Sequence, residues 1–296
     1  MSFPLAHLSI DPVSAPTLTV FLWDSESTAS APPKPAWGLD DYRQHGRIRG
    51  HFEDGFYAVF QRGTQSLHVL DAERERGFFW TNSANQLEMT DHGSPLRTLL
   101  HLWLDRHGVQ LVHSAAVGHP DGAVLIVGNA GAGKSSTALA CLPSPLGHLG
   151  EDYCLVTPGD PPVVSSLYSS AKVDRATRAR MPWLDPLIDT MPTATQPKAL
   201  LDIYSNIPEK VMRAAPLRAL VIPSISGKTE TTFASSTRPE ALAGLAPSTM
   251  LQLPGTSATT MARLSSLVRA VPAYRLAAGT DPAGVAAAVE RILEDA

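Results

Sequence analysis

The chain has 296 residues, of which 44% are hydrophobic and 18% charged, with a formal net charge of −4. That length supports a sizeable core and two domains, while the acidic balance argues against a nucleic-acid binder held by bulk positive charge. No apolar run approaches the ~20 residues that cross a bilayer, so no membrane partner is expected.

Residues 1–7 carry neither a basic n-region nor a long apolar core, which is a poor match to a signal peptide. The two cysteines, Cys141 and Cys154, lack the spacing of a metal knuckle or a redox pair and read as small core residues. The expected setting is the cytoplasm, with thiols kept reduced.

Up to about residue 30 the one strand-like run is 17–23. A loop follows at 25–35, where Pro32, Pro33 and Pro35 forbid helix or central strand. Two alternating runs, 55–60 and 66–70, flank a hairpin turn at 61–65, and 78–81 is a further short aromatic strand. This front part reads as β-rich and carries no catalytic pattern.

From Ser94 the texture changes. Ser94 or Asp91 is suited to cap a helix through Leu96, Leu99, Leu100, Trp103 and Leu104, which Gly108 ends. Residues 110–118 read as one strand, turning at 119–122 into a second strand at 123–127. The domain boundary is expected just before the helix, near residue 93.

The stretch that follows is the most specific in the chain. Gly128-Asn129-Ala130-Gly131-Ala132-Gly133-Lys134-Ser135 matches the G-x-x-x-x-G-K-S phosphate loop, with an apolar strand before it and good helix formers after it. Glycines let backbone N–H groups converge on one anion. Lys134 supplies a mobile charge for terminal phosphates, and the Ser135 hydroxyl suits a Mg²⁺ ion. Ser136 continues the same cradle.

After a break at 143–145 come Glu151 and Asp152, adjacent carboxylates at the start of an apolar run. They form either a solvated turn or a site that something cationic uses, for which a Mg²⁺ at Ser135 would serve. Lys172, Arg175, Arg178 and Arg180, against Asp174, make a locally basic segment that would either meet nucleotide or substrate phosphate or, as such runs more commonly do, form a solvated helix face. Lys198 and Lys210 are isolated. Residues 216–223 read as a buried strand, 273–277 as another, and Asp281-Pro282 opens a terminal helix with Val285, Ala288, Val289, Ile292 and Leu293 on its apolar face.

His113, the loop from Gly128 and the Glu151-Asp152 pair stand in an order that resembles the catalytic domain of bacterial HPr serine kinases. It is similar also to that domain's smaller relatives, the kinases of lasso-peptide and other biosynthetic clusters for ribosomally made, modified peptides (RiPPs). The likeness spans residues 94–296. Three departures favour the peptide-tailoring branch: Ser136 where the HPr kinases have Glu, Glu151 where they have Asp, and no glycine-rich C-terminal signature.

The resemblance implies an α/β P-loop kinase core of the HPr kinase/PEP carboxykinase-like type over 94–296. A small β-rich domain over 1–93 would precede it and recognise substrate. It implies ATP and Mg²⁺ as cofactors, and transfer of phosphate to a serine of a peptide or protein, such as a lasso precursor. Lys134 would hold phosphates, Ser135 and Asp152 the metal, and Glu151 would act as base, or Asp152 if the roles are exchanged. His113 would polarise the γ-phosphate or tune that carboxylate. A small-molecule hydroxyl kinase and a non-catalytic ATP-binding sensor remain open, as does a homo-oligomer.

Overall fold

The computed structural model describes residues 3–190 and 197–296. The reading of the N-terminus extends to Met1 and Ser2, which lie outside the described residues. Those residues form a mixed α/β structure with three sheets.

The first sheet follows the alternating runs of the front part. Its strands are β1 (Thr19–Asp24), β2 (Arg47–Glu53), β3 (Phe56–Gln61), β4 (Ser66–Asp71) and β5 (Arg76–Thr81), in the order β1-β5-β4-β3-β2. Only the β1–β5 pair is parallel; β3 and β4 form the expected hairpin. A one-turn helix α1 (Ser25–Thr28), capped by Asp24, departs from the expected loop at 25–35, because the prolines of that stretch begin only at Pro32. With α2 (Met89–Gly93) it flanks the sheet, and α3 (Arg97–Arg106) packs on it through Leu99 and Leu102. Leu100 points the other way, to the cluster around Leu111 and Tyr153.

The cap of α3 is neither Ser94 nor Asp91. Asp91 lies inside α2, Ser94 closes it, and Leu96, with φ +57°, opens α3. Pro95 explains this, because a proline disfavours helical geometry in the residue before it and splits the expected helix in two.

The second sheet is built from β6 (Gln110–Val112), β7 (Ala115–His119), β8 (Gly122–Ile126), β9 (Gly147–Gly150), β10 (Cys154–Thr157) and β11 (Val163–Ser166). It is completed by the 12-residue strand β15 (Ala214–Ile225), with β16 (Thr232–Ser235) and β17 (Ala273–Ala278). Strand β15 runs parallel to β8 and β17 and antiparallel to β11, so it joins the two halves.

Both faces of this sheet are covered. Helices α4 (Lys134–Ala140) and α9 (Pro282–Asp295) lie on one side, α7 (Arg238–Met250) and α8 (Ala258–Ala270) on the other. Along β8 and the residue after it, Val124 and Ile126 enter the first core, while Ala123, Leu125 and Val127 enter the second. That is why the segment reads as a continuous apolar run rather than an alternating one. At α9 the Asp281 carboxylate accepts from the N–H groups of Ala283 and Gly284, as its position before Pro282 predicts.

A third, three-stranded sheet is formed by β12 (Ser170–Val173), β13 (Ile188–Thr190) and β14 (Ala199–Asp202), beside the helical turns α5 (Arg175–Arg180) and α6 (Ile203–Asn206). Residues 3–8 also dock on this half of the molecule: the Ser169 N–H donates to the Pro4 carbonyl at 2.8 Å, and the His7 ring meets the Ser166 hydroxyl at 2.8 Å. Among the described residues no helix is long and apolar enough to cross a membrane.

Candidate active site

The phosphate-loop pattern sits where parallel α/β sheets bind ligands, beyond the carboxyl end of a strand. Strand β8 ends at Ile126, the loop follows, and α4 begins at Lys134. Two of its glycines are there by necessity. Gly133 has φ +100° at the start of α4, and a Cβ on Gly128 would stand 2.9 Å from that of Ala132.

Lys134 is buried, and its ammonium donates to the carbonyls of Gly128 at 2.8 Å and Asn129 at 3.4 Å. Burial pushes its pKa down, although the charges of Asp152 and Glu151 oppose the shift.

Asn129, Ala130, Gly131, Gly133, Lys134, Ser135 and Ser136 line a cleft of about 400 Å³, together with His113, Glu151 and Asp152. Gly128 and Ala132 are not among the lining residues. The residues expected from the sequence thus share one cavity, but three local details differ from expectation.

First, His113 is not within a strand. The segment 110–118 breaks into β6 and β7 because two backbone N–H groups leave the ladder: that of His113 donates to the Thr249 hydroxyl, that of Ser114 to the Asp152 carbonyl, each at 3.1 Å. Second, Glu151 and Asp152 occupy a turn between β9 and β10 that is not a solvated one: Glu151 is buried, Asp152 is partly buried, and Asp152 has φ +80°. A non-glycine residue in that region is strained and persists only when its surroundings hold it.

Third, the carboxylate that reaches Ser135 is that of Glu151, not Asp152. The Ser135 hydroxyl donates to Glu151 Oε1, and the Lys172 backbone N–H donates to Oε2 at 3.0 Å. Asp152 faces other partners. Its Oδ2 accepts from the Lys172 ammonium at 2.5 Å, its Oδ1 from His113 Nε2 at 3.1 Å.

The two acids are consequently driven apart. Burial raises the Glu151 carboxyl, and the negative charge of Asp152 adds to the rise. Burial alone would raise Asp152 as well, but Lys172 and His113 override it and hold that carboxyl well below the usual carboxylate range. Neighbouring carboxyls with opposed shifts are a recurring feature of acid–base sites.

Behind His113 lies a directional chain. The Tyr153 hydroxyl donates to Gln252 Oε1 at 2.6 Å, and Gln252 Nε2 donates to His113 Nδ1 at 3.1 Å. With Nδ1 accepting, the ring proton belongs on Nε2, facing Asp152.

Sequence reasoning missed Lys172 as the counter-ion of Asp152, having read its segment as a phosphate contact or a solvated face. The signal was present, since a cation in the middle of the otherwise small and apolar strand Ser170–Val173 needs a buried acid. Arg180 donates to the Ser136 hydroxyl at 3.2 Å, and Lys198 lines the cleft, whereas Arg178 pairs with Asp185 outside it. Lys210 bonds the Ser144 carbonyl and has no place in the site. Arg97 also faces the cleft, its guanidinium 5.1 Å from the centre of the Tyr153 ring. Nothing in the sequence marked Gln252, Tyr153 or Arg97.

The lining holds five Lys or Arg side chains against Glu151, Asp152 and Asp174 among the described residues. That excess suits a polyanion. The Ser135 hydroxyl and Glu151 carboxylate, side by side, form the hard oxygen pair that Mg²⁺ accepts when phosphates complete its shell. The residues present therefore fit both a nucleotide and its metal.

No protein-family model matches the chain, and no curated protein matches it. Among solved structures it is similar to the HPr(Ser) kinase/phosphatase from Coxiella burnetii, at 14% identity and a TM-score of 0.29, over 54% of this chain and 94% of that one. The functional reading is accordingly carried by the site itself.

Proposed function

We propose that the chain is an ATP- and Mg²⁺-dependent kinase that phosphorylates a serine hydroxyl of a peptide or protein, in the manner of the kinases that tailor lasso and other RiPP precursors. The observation that carries this reading is one cleft holding a phosphate loop, a hydroxyl–carboxylate pair at Ser135 and Glu151, and an ionised acid at Asp152.

Phosphoryl transfer needs positioning and charge neutralisation more than covalent chemistry. The N–H groups of the loop and Lys134 bind the β and γ phosphates. Ser135 and Glu151 hold the metal, which supplies further neutralisation of phosphate charge. Asp152, kept ionised and aimed by Lys172 and His113, accepts the proton of the serine hydroxyl as general base. Of the two role assignments open in the sequence, this geometry favours the one with Glu151 at the metal. His113 tunes the base through its Nε2–H. The five-stranded front sheet serves acceptor recognition.

The test uses labelled ATP, Mg²⁺ and synthetic peptides ending in serine, scored by mass for one added phosphate. Asp152→Asn is expected to lower transfer about 10²- to 10⁴-fold with nucleotide binding retained. Glu151→Gln is expected to lose transfer at low Mg²⁺ and regain part of it as Mg²⁺ is raised. If each variant transfers phosphate as the parent does, the mechanism is wrong. ATP hydrolysis with no peptide product from any acceptor would favour a sensor instead.

A further inference from the structure

A second concavity, of about 460 Å³, adjoins the active-site cleft. Its walls come from the front sheet and the segment leading into it, through Tyr42, Arg43, His45, Phe60 and Arg62, and from Gln252 of the α7–α8 connection. Gln252 lines both cavities. The same side chain that bonds His113 on one side is therefore the partition on the other.

The charge of this groove is one-sided. Arg43 and Arg62 are exposed, and neither forms an ion pair among the described residues. Arg43 is held by the carbonyls of Asp40 and Tyr42, both at 2.9 Å, and Arg62 lies 5.7 Å from the centre of the Tyr42 ring. Asp41 close by is already taken by Arg49 at 2.6 Å. Among the described residues no carboxylate lines the groove, although the chain as a whole is acidic, with a net charge of −4. Clustered guanidinium groups without a carboxylate partner, here one tied to backbone carbonyls and one held over an aromatic ring, are a recurring means of reading acidic peptide segments.

We propose that this groove is the docking site for an acidic stretch of the acceptor polypeptide, which flanks the serine and crosses Gln252 on its way out of the cleft. The inference rests on the reading of the cleft as a peptide kinase site. The front sheet then contributes specificity through charge, while the P-loop half carries the chemistry. A groove separated from the cleft by one side chain serves an extended acceptor and is of no use to a small one. Charge selection of this kind acts on encounter and on rejection of wrong partners as much as on final affinity.

The test measures binding without ATP, so it stands apart from phosphate transfer. Three fluorescein-labelled 12-residue peptides, each with one serine, are titrated against the full chain by anisotropy: one rich in Glu, one in Gln and one in Lys. A single-stranded 12-mer oligonucleotide is the fourth probe. The Glu-rich peptide is expected to bind about tenfold or more tighter than the Lys-rich one at low salt, and to weaken steeply as salt rises. Arg43→Glu and Arg62→Glu are each expected to weaken the Glu-rich peptide about fivefold and leave the Gln-rich one unchanged. Arg76→Glu, an exposed reversal on the same sheet but outside the groove, is the control for altered net charge, and thermal melts check that every variant is folded. Equal affinity for the three peptides, reversals without effect, no peptide binding at all, or tighter capture of the oligonucleotide each overturn the proposal. Phosphorylation of a serine peptide by a chain that shows no acidic preference would leave the kinase reading intact and refute only the groove.

Discussion

Lys172→Met isolates the ion pair on which the proposed base depends. In the parent, the ammonium lies 2.5 Å from Asp152 Oδ2, and both side chains are largely buried, at 11% and 16% exposure. Methionine keeps the packing volume of the stem and removes the charge. Breaking a buried pair by deleting one partner costs about 3–5 kcal/mol, because the remaining charge stays behind in a poorly solvating site. At 1.36 kcal/mol per pH unit, that coupling moves the Asp152 carboxyl up by about 2 to 4 units.

The sign follows from the direction of the parent shift. A carboxyl held below its unfolded value contributes stability above that value and loses it as pH falls through the folded one. The variant is therefore expected to melt well below the parent at pH 7, with the gap closing only as pH falls below about 4, toward the depressed value of the parent carboxyl. The acid limb of the pH–rate profile for phosphate transfer should move upward by the same 2 to 4 units, and Lys172→Arg, which keeps a cation, should return it most of the way. A folded Lys172→Met protein with an unmoved acid limb would refute the role given to Asp152, and a melting difference independent of pH would refute the pair as the source of stability.

Three further outcomes are expected. His148 is fully buried with neither ring nitrogen hydrogen-bonded among the described residues, and burial holds its pKa down at about 4. Its stabilising effect is present above the unfolded value near 6.5 and is lost as pH falls, by about 2 kcal/mol at pH 5; His148→Leu should melt with a shallower pH dependence between 7 and 5, and an unchanged slope would count against this. Gly133→Ala meets no close neighbour but must hold φ +100°, so about 1–3 kcal/mol of backbone strain should appear as weakened nucleotide affinity in calorimetry and as a lower melting point. Asp281→Ala removes the cap of α9 and should cost about 1 kcal/mol in a thermal melt, with nucleotide binding unchanged.

What the sequence made legible was local. The strand, loop and helix of 123–140, the hairpin of β3 and β4, and the Asp281 cap each lie within a window whose pattern states its own geometry. The composition of the cleft was legible as far as spacing could carry it, to His113, Glu151 and Asp152. Contacts made by folding over long separations were not. Lys172 meets Asp152 across 20 positions and Gln252 meets His113 across 139, and no local period encodes either. The break at His113 and Ser114 escaped for a related reason. The groups that draw those two N–H donors out of the ladder, on Thr249 and Asp152, lie elsewhere in the chain. Spacing also could not tell which of two adjacent acids turns toward Ser135, because the left-handed backbone at Asp152 sends neighbouring side chains in unrelated directions.

The posture of Lys134 has a consequence for affinity. Its ammonium is satisfied by the carbonyls of Gly128 and Asn129, groups of the very loop that would embrace a phosphate. On the proposed reading, a phosphate bound at the loop would have to draw the ammonium away from these carbonyls to gain its charge. The affinity for such a phosphate would then be lowered by however strongly the loop retains its own side chain. The same two bonds keep the buried Lys134 cation from being left without partners.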